Sequence, residues 1–159
     1  MQNTESNIII LSRPVRSGKT SLLFEFIKDK NNIGGFLTPD SAEGRMLYNI
    51  ETAEFLPFET KLFKEQETEE VGKFLFLKTA FAAGREILNN SAGKNCVIID
   101  EVGKLEIEQD KGFEPMVKNL VEQYKELQTS KLLLVIRDNL LQKAIAHYGL
   151  ENALIISTL

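Results

Sequence analysis

The chain has one cysteine, one histidine and no tryptophan in 159 residues. A single thiol excludes an intramolecular disulfide framework. Cys96 lies in the apolar run Cys96-Val97-Ile98-Ile99, where a small buried thiol is the ordinary reading. With His147 as the one imidazole, histidine and cysteine cannot supply a zinc ligand set. Arginine is also scarce, at positions 13, 16, 45, 85 and 137, and forms no arginine-rich lid segment. No apolar run approaches the roughly 18 residues of a membrane span. Met1 to Ser6 is polar and lacks the basic start and apolar stretch of a secretion signal. A cytoplasmic protein is therefore expected. The net charge of −4 offers no global attraction to nucleic acid or an anionic membrane. A phosphate ligand would need a local positive site.

What is present is an ordinary globular composition, with 43% hydrophobic and 26% charged residues. The length suits one domain over residues 1–159. Asn7 to Leu11 is short, β-branched and uninterrupted, as a strand buried on both faces would be. Ser12 to Ser17 reads as a loop broken by Pro14, and Gly18 to Lys30 as a helix carrying Leu22, Leu23, Phe26 and Ile27 on one face. Asn31 to Gly35 reads as turn residues ending that helix.

The middle region predicts short strands at Gly35–Pro39, Arg45–Glu51, Glu54–Thr60 and Lys73–Leu77, with a hairpin turn at Ser41–Gly44. Lys61 to Val71 reads as an exposed charged loop. Phe36, Phe55, Phe58, Phe74 and Phe76 read as core of this region rather than a base-stacking platform. Thr79 to Asn89 reads as a helix weakened by Gly84. The last third predicts strands at Val97–Ile99, Leu132–Ile136 and Ala153–Ile156. Helices are expected from Phe113 to Leu127 and from Asp138 to Tyr148, the latter closed by Gly149. Strands alternating with helices imply an α/β fold: a three-layer sandwich with a mostly parallel sheet, helices on both faces and an antiparallel hairpin insertion.

Two runs carry chemistry. Strand, turn, Gly18-Lys19-Thr20-Ser21, helix is the context of a phosphate-binding loop of Walker A type. Backbone N–H groups at the helix start face a phosphate, lysine adds charge at the β and γ phosphates, and threonine can ligate Mg²⁺. The nucleotide-contacting set would be Arg13, Pro14, Val15, Arg16, Ser17, Gly18, Lys19, Thr20 and Ser21. Arg13 and Arg16 occupy positions where such loops favour glycine. They either redirect the loop or add charge to the phosphates. The second run is Val97-Ile98-Ile99-Asp100-Glu101, of Walker B type. Acids at the carboxyl end of a buried strand stand where open α/β sheets hold ligands. Asp100 suits Mg²⁺ and Glu101 suits orienting or deprotonating an attacking water. Either run alone arises readily by chance, but the two complement each other chemically. Arg45 and Arg137 are candidate γ-phosphate arginines, with a surface ion pair as the plainer reading of each.

The chain resembles the nucleoside-triphosphatase family often called THEP1. The resemblance covers the first strand and loop, Ile33-Gly34-Gly35-Phe36-Leu37-Thr38 with the following hairpin, and above all Ile98-Ile99-Asp100-Glu101-Val102-Gly103-Lys104-Leu105-Glu106. It implies a P-loop fold and Mg²⁺-dependent hydrolysis of nucleoside triphosphates to diphosphates with loose base preference. By position, it implies Lys19 and Thr20 at the phosphates and Mg²⁺, Asp100 at Mg²⁺ and Glu101 at the water. Gly103 and Lys104 belong to the matching segment, and no chemical step is assigned to Lys104. Two other readings share the residues: a small-molecule or nucleotide kinase, and a degenerate nucleotide-binding module without catalysis.

Overall fold

A computed structural model describes residues 6–14 and 16–159. Five strands form its parallel centre: β1 (Ile8–Arg13), β2 (Ile33–Leu37), β9 (Cys96–Asp100), β10 (Lys131–Arg137) and β11 (Leu154–Ile156). Their spatial order is β11-β1-β10-β9-β2, so β10 lies between the strand before the phosphate loop and the strand ending in Asp100. Beyond β2 the sheet turns antiparallel through β4 (Gly44–Asn49), which also pairs with β3 (Asp40–Ser41) and β5 (Glu54–Pro57). Strands β6 (Glu59–Thr60), β7 (Thr68–Val71) and β8 (Phe74–Leu77) form a separate antiparallel sheet ordered β6-β8-β7.

Side-chain alternation along the central strands builds two cores. Ile8, Ile10, Val97, Ile99, Leu132, Leu134 and Ile136 face one side. There α2 (Lys78–Ser91), α3 (Lys104–Gln109), α4 (Met116–Glu126) and α5 (Leu141–Tyr148) supply Leu88, Leu105, Leu120 and Ala144 to the same cluster. Leu11, Ile98, Leu133 and Val135 face the other side, with Leu23 of α1 (Lys19–Ile27). The expected layers and hairpin are thus present, with α1 packed against one face and the other helices against the opposite face.

Four local expectations need correction. Ile33-Gly34-Gly35 opens β2 rather than forming a turn. The glycines there serve close packing: a Cβ on Gly35 would lie 1.9 Å from the carbonyl oxygen of Ile98 on the paired strand. Part of the supposed loop, Thr68 to Val71, is a strand, because β8 gives it an antiparallel partner. The segment Glu54 to Thr60 divides between two sheets at Phe58, whose buried ring contacts Phe76 and Phe81 at centroid distances of 4.6 and 5.0 Å. Of the phenylalanines expected inside, Phe55 and Phe74 are exposed, at 55% and 39%. They occupy strands of the hairpin region with one open face. Helix α3 was not anticipated. It has only six residues, too few for periodicity to show.

Candidate functional site

The phosphate-loop candidate spans the junction of β1 and α1. Strand β1 extends two residues beyond its apolar run, because β10 continues the ladder through Ser12↔Ile136 and Arg13↔Arg137. Arg13 is therefore a strand-end residue, not a loop residue. Arg16 takes a left-handed conformation at φ 59°, as does Gly18 at φ 82°. The loop thus uses positive φ where glycine is favoured, and Arg16 bears a strain of roughly 1–2 kcal/mol. Gly18 precedes the first turn of α1, and its carbonyl accepts from the Leu22 N–H at 3.0 Å. Val15 lies outside the described residues.

Lys19 is only 7% exposed, and its Nζ donates to the Pro14 carbonyl at 3.0 Å. The lysine thus closes the loop on itself. Thr20 follows on the same turn, and its Oγ1 donates to Asp100 Oδ2 at 2.9 Å. This contact joins the two sequence runs. Ser21 is exposed, and Ser17 Oγ is buried without a hydrogen-bond partner among the described residues.

Asp100 ends β9, fully buried. Its Oδ2 accepts a second hydrogen bond, from the Thr38 N–H at 3.0 Å. Both bonds converge on one carboxylate oxygen and leave Oδ1 available. Burial pushes the Asp100 pKa up. The Thr38 bond opposes that rise, nearby Glu101 adds to it, and the Thr20 bond and Arg45 also oppose it. Thr20 and Asp100 fit Mg²⁺, which takes one or two protein oxygens and completes its shell with water and phosphate. Among the described residues no group of three or more His, Cys, Asp or Glu could hold a metal.

Glu101 leaves the β9 ladder. The chain rejoins β10 at Val102, whose N–H donates to the Val135 carbonyl at 2.9 Å. The Glu101 carboxylate lies against Arg137 at the end of β10, Oε1 to Nε, as an ion pair without hydrogen-bond alignment. Arg45 pairs with Asp40 at 3.4 Å and remains close enough to influence Asp100.

The sequence reading did not assign Thr38 a role. Its signal was its place directly after the buried run ending at Leu37, at the same sheet edge as Asp100. Glu106 is 3% exposed and accepts from the Gly103 N–H at 2.9 Å and the Phe113 N–H at 3.0 Å. It thereby caps α3 and ties it to the following loop. Lys104 is exposed.

A family model described as NTPase matches residues 8–150. The chain belongs to the NTPase family. No curated protein matches it significantly. Two solved structures share the NTPase fold with it. One is the crystal structure of THEP1 from the hyperthermophile Aquifex aeolicus, at TM-score 0.69 and 22% identity over 94% of this chain and 88% of that one. The other is the solution structure of a human cancer-related nucleoside triphosphatase, at TM-score 0.65 and 19% identity over 93% and 86%. The THEP1-type resemblance and the P-loop fold are thereby borne out. As an NTPase-family chain, this is a nucleotide-binding P-loop protein.

Proposed function

We propose that the chain is a Mg²⁺-dependent nucleoside triphosphatase that converts NTP and water to NDP and phosphate, with loose base preference. The observation that carries this reading is the Thr20–Asp100 hydrogen bond. It brings a threonine at a helix start and a buried acid from a distant strand to one point, as a phosphate-bound Mg²⁺ requires.

In this reading Lys19 and the backbone N–H groups opening α1 bind the β and γ phosphates, flanked by Arg13 and Arg16. Thr20 and Asp100 hold Mg²⁺, which when bound offsets negative charge on the phosphate oxygens. Glu101 orients the attacking water and accepts its proton as the water oxygen bonds to the γ phosphorus. The bond from that phosphorus to the β–γ bridging oxygen breaks, and NDP leaves. Loose base preference is what the resemblance to the THEP1-type family implies.

The test is phosphate release from ATP, GTP, CTP and UTP, with Mg²⁺ and with EDTA. Wild type, Lys19→Ala and Glu101→Gln would be compared. Mg²⁺-dependent release from several nucleotides is expected. Lys19→Ala should lose binding and release together, whereas Glu101→Gln should lose release by about a hundredfold or more while retaining binding. Binding without release in wild type would overturn hydrolysis and leave a nucleotide-binding module.

A further inference from the structure

Arg137 ends β10 and Glu101 directly follows the neighbouring strand β9, and their charges meet at the carboxyl edge of the central sheet. Alternation along β10 places Arg137 on the same face as Leu133 and Val135, the side covered by α1. By the same alternation Arg13 follows Ile9 and Leu11 on that face of β1, and Arg13 and Arg137 are paired in register. Asp100 shares the face with Ile98 and touches Thr20 of α1. Arg13 and Arg137 therefore flank the ground where the phosphate loop delivers a terminal phosphate.

The ion pair is a close contact made through a single guanidinium nitrogen. Arg137 Nε lies within charge contact of Glu101 but is not aligned for a hydrogen bond. The side chains are 33% and 15% exposed. A single monodentate carboxylate leaves most of the guanidinium's donors unused. A phosphate, with more charge and more acceptor oxygens, is the stronger partner for such a fork.

We propose that Arg137 exchanges partners: it restrains Glu101 in the free protein and moves to the terminal phosphate of a bound triphosphate, which frees the carboxylate to meet the water. The idea rests on the hydrolytic reading above. The exchange links water activation to the presence of a γ phosphate, so a diphosphate leaves the Arg137–Glu101 pair in place.

The test is a thermodynamic cycle that requires no turnover. Dissociation constants for Mg²⁺ with β,γ-imido-ATP and with ADP would be measured for wild type, Glu101→Gln, Arg137→Gln and the double variant. Arg137→Lys serves as the conservative control, and thermal melting verifies folding. Glu101→Gln is expected to tighten the imido-triphosphate relative to ADP by about threefold or more, since the competing ion pair is gone. Arg137→Gln should weaken it by a similar factor, Arg137→Lys by less. In the double variant the gain from Glu101→Gln should vanish. An identical triphosphate-to-diphosphate ratio in all the proteins would overturn the exchange. Phosphate release by wild type, measured in parallel, separates the two ideas. Release with an unchanged ratio overturns the exchange alone. A coupled ratio without release overturns hydrolysis alone. Failure of wild type to bind either nucleotide overturns both.

Discussion

Thr20 donates its hydroxyl proton to Asp100 at 2.9 Å across eighty positions of sequence, and the Thr38 N–H reaches the same carboxylate oxygen at 3.0 Å. Because both donors share Oδ2, an asparagine could accept both bonds through its amide oxygen while carrying no charge. Asp100→Asn removes the cost of burying a carboxylate and retains its hydrogen bonds. Without Mg²⁺ the variant should melt at or above the wild-type temperature, yet lose Mg²⁺-dependent nucleotide binding by at least about tenfold. A lower melting temperature would show that the charge stabilises the free protein.

Arg16 sits at φ 59° in the phosphate loop. Glycine there relieves roughly 1 kcal/mol of strain but adds a comparable freedom to the unfolded chain. The two effects offset, so Arg16→Gly should change stability by less than about 1 kcal/mol. The discriminating readout is triphosphate affinity. A loss of severalfold is expected from the missing cation, steeper at low salt. Equal affinities at low and high salt would show that Arg16 does not reach the phosphates.

Gly84 lies inside α2 against the Phe113 ring, where an added Cβ would approach Phe113 Cε1 to 2.4 Å. Alanine improves helix propensity by about 1 kcal/mol. The clash outweighs that gain, since Phe113 is itself wedged against Phe36 and Phe81 at 4.5 and 4.9 Å. Gly84→Ala should destabilise the fold by about 1–3 kcal/mol in urea unfolding. Stabilisation would mean that the ring relocates freely.

Glu106 is held up to about 7 by burial, against the lowering effect of its N–H partners, with Glu114 adding to the rise. The folded state therefore binds more protons than the unfolded chain between about pH 4.5 and 7. Stability should fall as pH rises through that window, by at most about 3 kcal/mol, and then level off. Glu106→Gln cannot accept both N–H groups and should melt lower at pH 5. Its further decline by pH 7.5 should be smaller than that of wild type. Parallel melting curves for the two proteins would assign the decline to other groups.

The legibility of the chain varied with the range of the interactions involved. β1, β9 and β10 were readable because continuous apolar runs have few other uses in a parallel sheet. α4 was readable from Val117, Leu120, Val121 and Tyr124 at helical spacing. β2 was misread at Gly34 and Gly35, since the need for glycine came from Ser91 and Ile98, far along the chain. α3 escaped notice because its cap depends on Glu106 reaching back to Gly103 while also holding Phe113.

The sequence by itself determined the kinds of chemistry available: a lysine and threonine at a helix start, and two acids closing a buried strand. These are local patterns, set by backbone preference and residue type. Only the tertiary structure decided that Thr20 meets Asp100, that β10 separates β1 from β9, and that Arg137 faces Glu101. Those relations depend on which strands pair and in what register. That outcome belongs to the packing of the whole sheet, and no single segment encodes it.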